Sequence, residues 1–191
     1  MRIIAGSLKG RRLKAPDWEG LRPTSDKLRE TLFNILAPRI AGARVVDAYA
    51  GTGAVGIEAL SRGASNVTFV EQDRRAQALI AENLAHCGIA TGYNIVRAGA
   101  LRAFESFDKD AAFDIILLDP PYGDHDLQLI LAAAGKIVRP GGVLVLEHAR
   151  RHPAPKAASP LVMTREVRAG DSVLAFYTCP PQPSIRAHSI R

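Results

Sequence analysis

The chain has 191 residues, of which 47% are hydrophobic, and it carries a formal net charge of +6 at pH 7. This length and apolar content suit one globular domain, and no apolar run approaches the roughly 20 residues of a membrane-spanning helix. Cys87 and Cys179 are too few for a disulfide framework, and the N-terminus lacks a secretory signal pattern, so the composition favours a cytoplasmic protein.

The charge is unevenly distributed along the chain. Residues 1–30 hold eight Lys or Arg against four Asp or Glu, and residues 150–191 hold seven against two, whereas residues 31–149 are net acidic. Basic ends on a mildly acidic body suggest that a polyanion binds at the flanks. The alternative is that these charges only keep the surface soluble.

The first predicted element is a small, curled β-hairpin over residues 2–16, where short apolar and basic runs are separated by glycines. A helix is predicted over 22–36, because apolar residues recur there with a period of 3.6. Thr24 or Ser25 can cap its N-terminus, and Pro38 is expected to end it.

From residue 44 onwards, strands alternate with helices. Runs rich in Val, Ile and Leu predict strands over 44–49, 66–71, 93–98, 113–119 and 142–148. Helices are predicted between them, over 54–63, 73–88 and 125–138. Two strand-like runs on either side of Gly170-Asp171 predict an antiparallel hairpin. Apolar strands alternating with helices indicate a mostly parallel sheet covered on both faces.

A glycine-rich loop follows the first predicted strand, in VVDAYAGTGAVGIEAL. Its glycines have the G-x-G-x-x-G spacing of nucleotide-binding loops, at Gly51, Gly53 and Gly56. Glu71 ends the next strand, where an acid can accept hydrogen bonds from ribose hydroxyls. Asp47 would repel a pyrophosphate at the helix N-terminus and suits a positively charged ligand such as an ammonium or a sulfonium. The alternative is a tight turn beside a solvated acid.

A second motif, Asp119-Pro120-Pro121-Tyr122, ends the fourth predicted strand. Prolines end strands, so the pair could be only a stop signal. The motif resembles the [D/N/S]-P-P-[Y/F/W] sequence of methyltransferases that act on amino groups of bases or on amide nitrogens. Both motifs follow strands of a parallel sheet, so both are expected at its carboxyl edge, where ligands bind.

Over residues 2 to about 148 the chain resembles the RsmD family. The resemblance lies in RIIAGSLKGRRL, LRPTSDKLRETLFNIL, DAYAGTGAVGIEALSRGA, FVEQD and DPPY. It implies an α/β, Rossmann-like class I methyltransferase fold, with a mostly parallel seven-stranded sheet, an antiparallel C-terminal hairpin, and a small N-terminal β-hairpin and helix. It also implies S-adenosylmethionine as cofactor and methylation of the exocyclic N2 amino group of a guanine in small-subunit (16S) ribosomal RNA.

The family's site residues carry over onto matching positions of this sequence. The implied catalytic residues are Asp119, Pro120, Pro121 and Tyr122. The implied cofactor-binding residues are Asp47, Gly51, Thr52, Gly53, Gly56, Glu71, Gln72, Gly99 and Ala100. Many class I methyltransferases have an acid where this chain has Gly99-Ala100, so backbone groups are expected to recognise adenine. No metal site is expected.

The predicted RNA-binding residues are the basic residues of the N-terminal hairpin and one at the mouth of the site: Arg2, Lys9, Arg11, Arg12, Lys14 and Arg22. A solvated strand face, and helix capping for the segment around Arg22, are the alternatives. Residues 1–36 are expected to form this RNA-contacting extension, residues 37–178 the methyltransferase domain and residues 179–191 a flexible tail. The expected partner is 16S ribosomal RNA or a small-subunit assembly intermediate, bound by a monomer away from any membrane.

Three other functions remain open from the sequence. The same cofactor could serve methylation of adenine N6 in DNA or RNA, or of a protein amide. An NAD-dependent oxidoreductase would use the glycine loop but leaves the D-P-P-Y motif unexplained. A non-catalytic RNA-binding module would keep the basic hairpin without needing the residues from Asp119 to Tyr122.

Overall fold

A computed structural model of the protein describes residues 1–18, 25–108, 112–121 and 126–180. Its helices are α1 (Asp26–Ile40), α2 (Ala54–Ser61), α3 (Arg74–His86), α4 (Ala100–Ser106) and α5 (Leu127–Ala134). Its strands are β1 (Arg44–Ala48), β2 (Asn66–Glu71), β3 (Tyr93–Arg97), β4 (Phe113–Leu118), β5 (Val138–Ala149), β6 (Ala157–Ala158), β7 (Leu161–Ala169) and β8 (Ser172–Thr178). Across these ranges we find no helix with the length and apolar character to span a membrane.

The strands form one mixed sheet in the order β3-β2-β1-β4-β5-β8-β7-β6. Strands β1 to β5 pair in parallel, and β8, β7 and β6 continue the sheet antiparallel. The predicted fold class is therefore confirmed. The sheet has eight strands where seven were predicted, because Ala157 and Ala158 pair with the start of β7. Two residues are too short a run to give a sequence signal.

Successive residues of the central strands point into two cores on opposite faces of the sheet. Val45 and Ile115 pack with α1, α2 and α3, whereas Val46 and Ile116 pack with α4 and α5. The period of two along each strand produces this division. Since both faces are covered, the strands are apolar on both sides, which is the pattern that predicted them.

Several predicted elements differ from the observed ones, among them the helix predicted over 125–138, which ends at Ala134. Ser25 caps α1 as expected, with its Oγ accepting a hydrogen bond from the Leu28 N–H, but α1 continues past Pro38 to Ile40. A proline in the last turn removes only one backbone hydrogen bond, which the packing of Ile40 in the core offsets. Helix α4 was not predicted, and β5 begins at Val138, four residues before its apolar run.

The N-terminal segment is less regular than the small β-hairpin that the sequence predicts. A single antiparallel bridge, between Arg2 and Arg12, closes the loop. The N–H groups of Ile4 and Ala5 donate to the Glu58 carboxylate of α2, at 2.8 and 3.0 Å, and not to a facing strand. Backbone hydrogen bonds between residues 1–3 and 10–13 form only a short ladder, and beyond it a side chain distant in sequence supplies the acceptor.

Candidate active site

The two sequence motifs meet at the carboxyl edge of the sheet. Strands β1 and β4 are parallel neighbours, and Ala48 at the end of β1 pairs with Leu118 at the end of β4. The glycine loop therefore leaves the sheet beside the loop that begins at Asp119. This is the edge where parallel sheets bind ligands, as the sequence predicted.

Left-handed backbone conformations shape the glycine loop. Gly51 and Gly53 have φ angles of 54° and 76°, which glycine adopts at little cost. Tyr49 has a φ of 63°, and such an angle is uncommon for a bulky residue and is typical of functional loops. Sequence reasoning placed Tyr49 in the core, and its half-buried ring does pack there, but no sequence signal indicated its backbone conformation.

Carboxylates already occupy two backbone N–H groups at the start of α2. The Gly51 N–H donates to Glu71 Oε2 at 2.9 Å, and the Gly56 N–H donates to Asp47 Oδ2 at 2.8 Å. In a dinucleotide-binding loop such N–H groups face the pyrophosphate. Here protein carboxylates satisfy them, so this helix N-terminus is poorly suited to an anion.

Asp47 is a buried acid at this edge with a strongly raised pKa. It is 4% exposed, and its pKa is raised from 3.8 to about 8. Burial is the largest cause, the hydrogen bond from Gly56 opposes it, and the negative charges of Asp119 and Glu71 raise the pKa further. Three carboxylates thus converge on a space where a positive charge is favourable. The three carboxyl side chains fit the positively charged ammonium and sulfonium groups of S-adenosylmethionine.

Glu71 and Gln72 lie where the ribose and adenine of a nucleoside cofactor are expected. Glu71 Oε1 accepts from the Asp73 N–H at 2.9 Å, so each carboxylate oxygen holds one N–H and keeps lone-pair capacity for a hydroxyl. Gln72 is exposed, and a Cβ atom built on Gly99 would lie 3.6 Å from Gln72 Oε1. The ends of β2 and β3 thus bring together residues predicted to contact the cofactor.

The remaining predicted cofactor residues are buried and pack behind this edge. Thr52 is buried, and its carbonyl accepts a hydrogen bond from Asn83 Nδ2 at 3.0 Å. Ala100 begins α4 inside the core. A Cβ atom on Gly56 would come within 2.2 Å of the Phe69 ring, so this glycine lets α2 approach β2 closely.

The D-P-P loop is described in part. Asp119 is half-buried, Pro120 is buried and Pro121 is exposed. Tyr122, the fourth residue of the motif, lies outside the described residues. Over the parts of the chain that are described, no three His, Cys, Asp or Glu side chains group in a way that could hold a metal ion.

The predicted RNA-binding residues follow the loop closed by Arg2 and Arg12. Arg11 Nη1 donates to the His86 carbonyl at the end of α3, at 3.3 Å, and Lys14 forms a 3.0 Å ion pair with Glu82. Lys9 is exposed at the turn. Arg22 lies outside the described residues.

Three buried polar residues that the sequence did not single out for this role hold the N-terminal segment in place. Glu58, 0% exposed, accepts two of its N–H groups, and Asn83 exchanges hydrogen bonds with the Lys14 backbone. Arg29 donates through Nη2 to the Arg2 carbonyl and to Asp26. The sequence offers one indication of these three residues, which is that each is a polar residue on an otherwise apolar helix face.

A Rossmann-like sheet that joins a glycine loop to an Asp-Pro-Pro turn at its carboxyl edge defines a class I methyltransferase fold. The family described as "Conserved hypothetical protein 95" matches residues 1–178, so the chain belongs to that family, the RsmD family.

The relatives are named as methyltransferases. The Bacillus subtilis protein "Putative rRNA methyltransferase YlbH" is 38% identical over 93% of this chain and 98% of its own length. "Ribosomal RNA small subunit methyltransferase D" of Escherichia coli K12 is 43% identical over 64% of this chain and 60% of its own. The solved structure titled "Putative methyltransferase yhhF from Escherichia coli" superposes with a TM-score of 0.84 at 31% identity, covering 95% of this chain and 99% of that one.

Proposed function

We propose that this protein transfers a methyl group from S-adenosylmethionine to the exocyclic N2 amino group of a guanine in small-subunit (16S) ribosomal RNA. The observation that carries the proposal is the register of β1 and β4: Ala48 pairs with Leu118, so the glycine loop and Asp119 leave the sheet side by side. Burial raises the pKa of Asp47, and the charge of Asp119 raises it further. The two motifs therefore act on one space. A methyl donor bound at the glycine loop would face the methyl-accepting nitrogen bound at the D-P-P loop.

The cofactor would be held by its positive charge and by its nucleoside. S-adenosylmethionine supplies an activated methyl group on a positively charged sulfur. Asp47 would neutralise positive charge, Glu71 would accept from the ribose, and Gln72 would lie beside the adenine. The carboxylates on the Gly51 and Gly56 N–H groups favour this cofactor over NAD, whose pyrophosphate would need those donors.

The D-P-P residues would bind and orient the acceptor. An exocyclic amino nitrogen of guanine is a poor nucleophile, because its lone pair is delocalised into the ring. The Asp119 carboxylate and the Pro120 carbonyl would accept its two hydrogens and turn the lone pair towards the methyl group. Tyr122 would stack on the base, which must leave its helix to enter the site.

Ribosomal RNA as the substrate class is supported by family membership and by the names of the relatives. The finer choice of guanine N2 rests on the resemblance over the N-terminal segment and the D-P-P-Y motif together. Residues 1–36 would contribute phosphate contacts and residues 37–178 the chemistry. Adenine N6 is the competing acceptor, since it presents the same kind of amino group.

The decisive experiment offers labelled S-adenosylmethionine with protein-free small-subunit RNA, with partly assembled subunits, and with DNA, and identifies the methylated nucleoside by mass spectrometry. We expect N2-methylguanosine from RNA or subunits. Asp119→Ala should lower transfer about 100-fold or more while S-adenosylhomocysteine still binds. Glu105→Ala, which removes an exposed carboxylate from α4, is the control.

Two outcomes would contradict the proposal. If the product is N6-methyladenosine, the proposed cofactor is retained but the acceptor is adenine N6 and not guanine N2. Thermal stabilisation by NAD but not by S-adenosylhomocysteine would contradict both the proposed cofactor and the proposed methyl transfer.

A further inference from the structure

A second basic surface lies at the carboxyl edge of the sheet, on the side of β4 away from the glycine loop. Leu118 pairs with Leu146 in the parallel β4–β5 ladder, so β5 ends at the same edge as Asp119. Ala149 pairs with Ser172, and Ser172 pairs with Ala169, so the β7–β8 turn also reaches this edge.

One backbone hydrogen bond holds the two turns of this surface together. The Arg150 N–H donates to the Asp171 carbonyl at 3.0 Å, which joins the end of β5 to the β7–β8 turn. Asp119 follows Leu118 and so stands level with Glu147. At about 3.3 Å per residue, Arg150 is then up to about 10 Å further out along the strand direction, one strand to the side.

Three exposed arginines crowd this place, which we call the β5–β8 basic edge: Arg150, Arg151 and Arg168. None of the three forms an ion pair with any other described residue. Among the acids of the adjoining strands, Glu166 already faces Lys156 and His148, and Glu147 accepts from the Ser172 hydroxyl. Asp171 is exposed in the turn, and its single negative charge does not balance the three arginines, so the edge is net positive.

The N-terminal loop occupies a different position. The Ser7 N–H donates to the carbonyl of Ser61, the last residue of α2, and Arg11 donates to His86, the last residue of α3. Helices that follow parallel strands run back from the carboxyl edge, so their last residues lie towards the opposite edge. The tip of the loop therefore lies against the last residues of α2 and α3, which follow β1 and β2, on the other side of β4 from β5 and β8.

We propose that the β5–β8 basic edge binds backbone phosphates of the RNA strand that flank the target nucleotide. This inference rests on the proposed function, since it takes RNA as the substrate. Arginine suits the role because its planar guanidinium donates two parallel hydrogen bonds to a phosphate. Contacts of this kind position the strand without reading its sequence.

The test measures binding to protein-free small-subunit ribosomal RNA as a function of salt, with S-adenosylhomocysteine present. Arg150→Gln with Arg151→Gln should weaken binding about tenfold at moderate salt. It should also reduce the slope of log affinity against log salt by about 1.4, because each phosphate contact on a single strand contributes about 0.7. Arg168→Gln should reduce the slope by about 0.7. Lys136→Gln, which removes one exposed charge between α5 and β5, is the matched control and should leave the slope unchanged.

Unchanged affinity and slope in the arginine variants would overturn the inference, as would equal losses in Lys136→Gln. Normal RNA binding with a loss of methyl transfer only on assembled subunits would overturn it as well, in favour of a protein contact. The proposed function fails separately, if the wild-type protein binds RNA but methylates none. The salt slopes of the variants still decide the role of the basic edge in that case.

Discussion

The carboxylates of Asp47 and Asp119 act on each other across the boundary between β1 and β4. Asp47 lies on β1, opposite Leu117, and Asp119 follows the end of β4. Burial raises the pKa of Asp47, and the negative charges of Asp119 and Glu71 raise it further, to about 8. Two like charges in one partly dry space are unfavourable unless a positive ligand offsets them. That property links cofactor binding to pH.

The first prediction is that affinity for S-adenosylmethionine rises between pH 6 and pH 8. In the free protein Asp47 has a pKa of about 8, against 3.8 ordinarily, so the folded state holds an extra proton across that window. Its contribution to stability is therefore lost as pH rises through the window. A cationic ligand favours the carboxylate and releases the proton. Calorimetry in buffers of different ionisation enthalpy should detect this release.

S-adenosylhomocysteine provides the comparison, because it keeps the ammonium but lacks the sulfonium charge. Its affinity should rise less steeply with pH. Asp47→Asn should flatten the pH dependence for both ligands, weaken S-adenosylmethionine binding, and reduce the fall in stability of the free protein between pH 4 and pH 8. An affinity ratio that is independent of pH in the wild-type protein would contradict this account.

Glu58 gives the second prediction, because its carboxylate holds the N-terminal segment on α2. It is fully buried and accepts from Ile4, from Ala5 and, at 2.7 Å, from Arg62 Nε. Glu58→Ala leaves the half-buried Arg62 guanidinium and two N–H groups without their acceptor, so we expect a loss of about 3 to 5 kcal/mol in the free energy of unfolding. Hydrogen exchange at Ile4 and Ala5 should accelerate.

The surface ion pair of the same segment is the control. Lys14 and Glu82 are both more than half exposed, so Glu82→Ala should cost at most about 1 kcal/mol. Equal losses for the two variants, or unchanged exchange at Ile4 in Glu58→Ala, would show that the segment is held by other contacts.

Patterns within short stretches of sequence predicted the strands of the sheet and the position of the glycine loop. Near-continuous apolar runs located β1, β2 and β4, and the parallel sheet then placed the glycine loop beside Asp119. The N-terminal hairpin was predicted in more regular form, because its N–H groups find a carboxylate 53 or 54 residues away in sequence. No local pattern encodes that partner. The sequence likewise predicted that Asp47, Glu71 and Asp119 lie at the same edge of the sheet. It did not predict that burial and the neighbouring charges raise the pKa of Asp47.

The third prediction concerns Gly56, the last glycine of the loop. A methyl group there would come within 2.2 Å of Phe69 and 2.9 Å of Val67, both fully buried. Gly56→Ala should therefore destabilise the fold by about 1 to 3 kcal/mol, measured by urea unfolding, and should displace the N–H that Asp47 accepts. Gly99→Ala meets only an ordinary contact and should leave stability unchanged. A larger loss for Gly99→Ala than for Gly56→Ala would contradict this steric account.

The last prediction concerns Asn83, which joins the N-terminal segment to the glycine loop. Its Oδ1 accepts from the Lys14 N–H at 2.7 Å, and its Nδ2 donates to the Thr52 carbonyl at 3.0 Å. Asn83 is fully buried, so Asn83→Ala leaves these backbone groups unsatisfied and should cost about 1 to 3 kcal/mol of stability. It should also weaken cofactor binding, although Asn83 is not among the predicted cofactor residues.

Asn94→Ala is the matched control, because Asn94 is exposed and makes only a 3.4 Å contact with Asn66. Exchange at Lys14 should accelerate in Asn83→Ala and not in Asn94→Ala. Cofactor affinity that is unchanged in an Asn83→Ala protein with a mobile N-terminal segment would mean that the segment and the loop move independently. Weakened affinity would mean that a single amide fixes the glycine loop and the N-terminal segment in one arrangement.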